Sequence, residues 1–205
     1  MYRQLVKWGF FVVLLASFLP GAFAGQLQNP VTELQTLVNS LQQDVAANHL
    51  SLQKNPDQMY QLVQKNLMPV MAVDRMSATA MGPKWRTATA QQKQEFIQQF
   101  SLMLTRTYVS ALLKVNNYSI VINPLRNDSW QQMQALALPG VITNKANGES
   151  STVTYYVVRN GDSWQIYDFA VEGVSIMQNF QSQLQSFSTV DAVIARLKQV
   201  NASQL

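Results

Sequence analysis

The sequence predicts an α+β fold: N-terminal helices, an antiparallel meander of about four strands, and C-terminal helices. Two observations carry this reading. The stretch from Val153 to Asn179 reads as two strands joined at Asn160-Gly161, a dipeptide suited to a two-residue type I′ hairpin because both central residues need φ > 0. Neither strand alternates between apolar and polar. Val153, Tyr155 and Val157 oppose Tyr156 and Val158, while Trp164, Ile166 and Ala170 oppose Tyr167, Phe169 and Val171. A hairpin wet on one face would show period-two polarity, so this one is expected to be covered on both, by helices or by an apolar ligand. The second observation is order: helical patterns, then strands, then helical patterns, with no βαβ unit.

The elements follow in sequence. Asn29 can cap a helix with Pro30 at its first position, followed by Val31, Leu34, Val38, Leu41 and Val45 at spacings of three and four. Asn55-Pro56 repeats the signal before Met59, Tyr60, Val63 and Leu67, and His49 falls in the polar loop expected between the two helices. Pro69 breaks or restarts the second helix, giving a short segment around Val70 to Met76, and Gly82-Pro83 marks a turn. Thr89 with Gln92 fits a capping box. The longest helix then carries Phe96, Phe100, Leu104, Tyr108 and Leu112 at i+4 steps, a row that drifts slowly around the axis. Asn116-Asn117 ends it. Strands are expected over Tyr118–Asn123, around Val141–Lys145 after Pro139-Gly140, and from Thr152 after a turn at Asn147-Gly148. The last strand runs through Glu172-Gly173 directly into a helix from about Val174 to Phe187, and a final helix covers Asp191 to Val200.

The front of the chain predicts the compartment. Arg3 and Lys7 precede an apolar run, Trp8 to Leu19, and Ala22-Phe23-Ala24 places small residues where a signal peptidase reads. The run is shorter than the roughly 20 residues of a spanning helix. Residues 1–24 are therefore expected to be a cleaved signal peptide and residues 25–205 a single domain, soluble and exported. Cleavage takes Arg3 and Lys7 from the 15 Lys and Arg, leaving 13 against 11 Asp and Glu, a net charge of +2. With no basic block interleaved with aromatics, nucleic acid is not an expected partner.

Chemistry is sparse. The absence of cysteine excludes disulfides, thiol catalysis and Cys-based metal sites. The single histidine, His49, has polar neighbours, Ser175 lacks a Gly-x-Ser-x-Gly elbow, and no acidic or His cluster has metal-ligand spacing. Asp168 and Glu172 are the acid/base candidates, set in an apolar strand where a buried carboxyl can be shifted upward. The simpler reading is that Asp168 satisfies an inner hydrogen bond and Glu172 caps the following helix. Adaptable apolar surface is abundant instead, with Met68, Met71, Met76 and Met81 beside Pro and Gly breaks.

Two blocks carry a resemblance. MGPKWRTATAQQKQEFIQQFSLMLTRTYVSALLK is similar to the Gly-x-x-Trp-Arg-x-x-Thr-x-x-Gln block and long helix of the periplasmic MlaC, or toluene-tolerance, family. WQIYDFAVEGVSIMQNF resembles that family's second block, although Gln181-Ser182-Gln183-Leu184 stands where Arg-Ser-x-Phe is usual and Val190 where a glycine is usual. The resemblance implies a non-enzymatic phospholipid carrier with no cofactor besides its cargo. It also implies two partners in the periplasm, an outer-membrane lipoprotein complex and an inner-membrane ABC transporter with an MCE-domain ring. Withdrawing two acyl chains of about 30 methylenes from water is worth about 0.8 kcal/mol per methylene, and a bilayer offers the same. A plain apolar cavity that nearly matches the membrane is therefore sufficient, with the phosphate left at the mouth.

The expected wall consists of Phe96, Phe100, Leu104 and Tyr108 from the long helix. Tyr155, Val157, Ile166, Phe169 and Val171 join it from the sheet, and Val174 from the entry to the next helix. Arg75, Lys84 and Arg86, beside the methionines, are candidates for a head-group rim, while Trp85 and Trp164 are expected to pack the structure. Two other classes compete with the carrier. One is an enzyme of cystatin-like fold using Asp168 as base. The other is a periplasmic chaperone or adaptor with an apolar groove.

Overall fold

The structure, a computed structural model, describes residues 27–203. The signal-peptide reading therefore lies outside the described residues. Helix α1 spans Pro30–Lys54, capped by the Asn29 side chain, which accepts from the Val31 and Thr32 amides. Nothing interrupts the helix before Asn55-Pro56, so His49 lies exposed within α1 and not in a loop. The residue before a proline is pushed out of the α region, and Asn55 duly ends α1 and caps α2, Pro56–Leu62. A π-turn, Val63–Leu67, and a 3₁₀ turn, Met68–Val70, follow.

Helix α3 spans Val73–Met81, later than the segment expected from the position of Pro69. The displacement has a cause outside the segment. Met71 is extended and pairs with Ile166, and the Ala72 amide donates to the Ile166 carbonyl at 2.8 Å. A short α4, Lys84–Thr87, precedes the long α5, Ala90–Leu113, whose capping box between Thr89 and Gln92 is complete.

The sheet is a five-stranded antiparallel meander in the order β1 (Tyr118–Ile122), β2 (Ala135–Asn144), β3 (Ser150–Asn160), β4 (Ser163–Val171) and β5 (Val174–Ser175). β2 runs through Pro139-Gly140 instead of starting after it. The Pro139 carbonyl accepts from the Asn123 amide, so the missing N–H of Pro139 points past the end of β1, where the ladder loses nothing. Gly140 is required for a different reason, since a Cβ there would stand 2.6 Å from the Val121 carbonyl oxygen. The β3–β4 turn is shifted by one residue from expectation. Asn160 pairs with Ser163, leaving Gly161-Asp162 as the loop, and only Gly161 has positive φ, the pattern of a type II′ turn. Glu172-Gly173 is itself a two-residue hairpin turn, with φ of 49° and 79°, folding Val174-Ser175 back as β5. Helix α6 accordingly starts at Ile176, spans Ile176–Leu184, and is followed by α7, Val190–Ser203.

Both sheet edges are covered. At β1, the Gln35 side chain of α1 donates to the Ile120 carbonyl and accepts from the Ile122 amide, both at 3.1 Å, acting as a one-residue strand. At β4, the Met71–Ala72 segment and β5 occupy the edge. Between Tyr156 and Val157 the β3–β4 register slips, with Tyr167 as the extra residue. A bulge of this kind reverses which face later residues occupy, so Trp164 and Ile166 share the inner face with Phe169 and Val171.

The apolar interior is divided in three. One cluster joins α3, α5, α6 and α7 around Phe96, Phe100, Met177 and Val193. A second packs the first half of α1 on the inner sheet face through Leu34, Leu138, Val157 and Trp164. A third joins the end of α1 to α2 and the end of α5 through Val45, Leu52, Met59 and Val115. Between them the molecule is hollow.

Candidate functional site

The hollow is a cavity of about 320 Å³ bounded by α1, the π-turn, α3, α5 and the inner face of the sheet. Helix α5 contributes Leu104, Tyr108 and Leu112, and the sheet contributes Ile120, Ile142, Val153, Tyr155, Ile166, Phe169 and Val171. Each lies there for a local reason. The strands alternate, so every second residue points inward, and the bulge at Tyr167 brings Ile166 to the same side as Phe169. The wall offers very little polarity. Ser101 and Thr105 donate their hydroxyl hydrogens to carbonyls one turn back, Ile97 and Ser101, so neither presents a free donor.

Four of the expected wall residues require correction. Phe96 and Phe100 are fully buried, but in the helical cluster: they stack at 5.2 Å, and Phe100 meets Phe180 edge-on at 5.3 Å. An α-helix turns about 100° per residue, so each i+4 step rotates about 40°, and the row from Phe96 to Tyr108 sweeps from one interior to the other. Val157 lies one rung beyond the main cavity, against a small void of about 20 Å³ shared with Trp164 and Glu33. Burial pushes the Glu33 carboxyl upward, against the hydrogen bond it accepts from the Trp164 amide. Val174 is 59% exposed, because the Glu172-Gly173 turn carries it out onto β5.

The expected rim residues also stand away from the wall. Arg75 lies 4.1 Å above the Tyr167 ring, on the opposite sheet face from Phe169. Lys84 reaches the Gln185 carbonyl at the end of α6, and Arg86 is exposed on α4. Gln181 packs against Gly82, where a Cβ would meet its amide nitrogen at 2.6 Å, so this departure from the family pattern faces the α3–α6 contact.

Sequence reasoning passed over much of the wall. Leu34, Val38 and Leu41 of α1 were legible as a helical face, but only the fold shows that they, with Leu37, border the cavity. The methionine cluster was the better signal, since Met68, Met71 and Met76 line the cavity while Met81 is buried among the helices. Asp168 is committed elsewhere. Its carboxylate accepts from the Ser175 hydroxyl at 2.5 Å, the Phe169 amide at 2.8 Å and the Met177 amide at 3.1 Å, and so ties β4 to the start of α6. Ser175 caps α6 by accepting from the Gln178 amide, and Glu172 accepts from the Thr152 amide instead of capping that helix. Among the described residues, no group of three or more His, Cys, Asp or Glu is placed to hold a metal ion.

The family model described as MlaC protein matches residues 35–199. The chain belongs to the MlaC family. Toluene tolerance protein ttg2D of Pseudomonas putida is 31% identical over 173 residues, 84% of this chain and 78% of that protein. The intermembrane phospholipid transport system binding protein MlaC of Haemophilus influenzae is 24% identical over 212 residues, 98% of this chain and 95% of that protein. A solved phospholipid-binding protein from Ralstonia solanacearum, in complex with a phospholipid, superposes with a TM-score of 0.77 at 23% identity, covering 86% of this chain and 99% of that one. The α+β architecture is therefore shared across this MlaC-family chain and that neighbour.

Proposed function

We propose that this MlaC-family protein is a periplasmic phospholipid carrier, exported by its N-terminal signal peptide, whose cavity takes the acyl chains of a glycerophospholipid. The observation that carries the reading is the cavity itself. It is about 320 Å³, it opens to solvent, and its wall is almost wholly apolar, a surface that is unfavourable to leave against water. An apolar wall of this extent is stabilised when an apolar occupant covers it. Water is a poor occupant because the wall gives it almost no partners. An acyl chain fits the wall's chemistry and needs none.

The same wall suits carriage, and the carboxylate best suited to a base is occupied as a strand–helix tie. The names of the relatives support phospholipid as the cargo. The carrier accepts lipid from one membrane complex and delivers it to another, an outer-membrane lipoprotein complex and an inner-membrane ABC transporter with an MCE-domain ring. Native mass spectrometry with lipid extraction on residues 25–205 tests the cargo. Discrete adducts identified as phospholipid, or uptake of phospholipid from vesicles, are expected. A lipid-free protein that takes none from vesicles would refute the reading.

A further inference from the structure

The wall of the main cavity carries two phenols, Tyr108 on α5 and Tyr155 on β3. Its other hydroxyls, on Ser101 and Thr105, already donate within α5, and no cationic side chain lies on the wall among the described residues. Tyr155 stands opposite Phe169 on β4 and Leu138 on β2, so its ring is flanked by apolar side chains on both neighbouring strands. Burial alone pushes its ionisation up to about 12, with no hydrogen bond opposing it. Its hydroxyl therefore stays protonated at physiological pH and is a donor without a protein acceptor among the described residues. Burial shifts Tyr108 in the same direction.

A donor left unmatched in an apolar site is costly, so the occupant is expected to bring the acceptor. Its chemistry is constrained by the wall. A phosphate oxygen drawn this far inside would need a countercharge, and none lines the cavity. A free carboxylate fails for the same reason. A neutral carbonyl set between hydrocarbon segments meets both conditions, and in a glycerolipid that group is the acyl ester.

We infer that the Tyr155 hydroxyl donates a hydrogen bond to an acyl-ester carbonyl of the bound glycerolipid, which sets the depth of the lipid and favours ester-linked over ether-linked chains. The inference rests on the carrier reading above and assigns one residue of that site a positioning role.

The test is a cycle between protein and ligand. Wild type and Tyr155→Phe, stripped of lipid, are titrated with dioctanoyl phosphatidylethanolamine and with its dioctyl ether analogue, short-chain probes that avoid competition from a bilayer. Wild type is expected to bind the ester lipid roughly threefold to tenfold more tightly than the ether lipid, the worth of one neutral hydrogen bond. Tyr155→Phe is expected to bind both at the wild type's ether-lipid affinity. A wild type with no ester preference overturns the inference, and this arm is decisive without the variant. A Tyr155→Phe protein that keeps the full preference overturns it as well. A wild type that binds neither lipid overturns the carrier reading, and the inference with it.

Discussion

Phe100 lies wholly within the helical cluster, whereas Leu104, one turn on along α5, packs on that cluster and also lines the cavity, so paired substitutions separate stability from cargo binding. Leu104→Asn keeps nearly the same size but points an amide at the cavity. With acyl chains in place the amide has no water, a cost of about 1–3 kcal/mol in proteins, or a weakening of about fivefold to 150-fold. In the lipid-free protein water can reach it. The stability loss is then limited to lost contact of a half-buried leucine and about 0.5 kcal/mol of helix propensity. Phe100→Ala does the reverse. It removes a fully buried ring and its contacts with Phe96 and Phe180, costing about 3–5 kcal/mol. At about 2–4 °C per kcal/mol for a chain of this size, Tm falls by about 6–20 °C. Thermal unfolding of the delipidated proteins, with displacement of a fluorescent phospholipid, reads both quantities. The reasoning is refuted if Leu104→Asn binds like wild type, or if folded Phe100→Ala loses affinity as Leu104→Asn does.

Three other outcomes follow from single residues. Tyr155 ionises at about 12 in the folded protein against an ordinary 10.0, so the folded state holds the proton more tightly. That contribution, about 2–3 kcal/mol at 1.36 kcal/mol per unit, is complete below the unfolded value and disappears as pH rises through the folded one. Urea titrations of wild type should lose this much between pH 10 and 12, and Tyr155→Phe should lose less; parallel curves would contradict it. Gly173→Ala meets no atom within 4 Å, so its expected cost of about 1–2 kcal/mol is that of holding a side chain at φ 79°, and an unchanged urea midpoint would contradict the turn. Asp168→Ala strands the Met177 amide and the Ser175 hydroxyl and should destabilise by about 2–4 kcal/mol, while the folded fraction keeps its lipid affinity. An Asp168→Ala protein of wild-type stability would return that carboxylate to the list of chemical candidates.

Where the determinants are local, the sequence was readable. Asn29-Pro30, Asn55-Pro56 and the Thr89–Gln92 box place three helix starts, because a cap and its partner amides lie within three residues. The first four strands were legible because two of their turns carry Asn-Gly or Gly-Asp, although the exact residues of the second depend on pairing. In sequence, the Glu172-Gly173 turn and the fifth strand behind it read as a direct passage into a helix. What escaped was long-range. The start of α3 is fixed by a bridge from Met71 to Ile166, nearly a hundred positions away in the chain. The tolerance of β2 for Pro139 depends on where β1 stops. The bulge at Tyr167 cannot be read from alternation, since it is the break in alternation that puts Ile166 beside Phe169. The cavity itself is the same kind of property: Leu34 and Leu104 look like core in sequence, and they become wall only because the space between them is not filled.

The division of the interior into three clusters bears on how such a protein can give up its cargo. If one continuous core surrounded the lipid, emptying it would remove packing that the fold needs. Here the largest buried rings, Phe96 and Phe100, are not part of the cavity wall although their cluster borders it through Met76, and Met59, Val45 and Leu52 anchor another cluster from behind the wall. These carry stability whether or not the cavity is occupied. The part of the wall least committed to regular hydrogen bonding is the π-turn and 3₁₀ stretch that brings Leu67, Met68 and Met71 to the cavity. Unbranched methionine side chains change rotamer at little cost, so this side of the wall adapts most readily to the shape of an apolar occupant. Stability and transport then place opposite demands on different parts of the fold, rigid aromatic packing away from the cavity and adaptable thioethers around it.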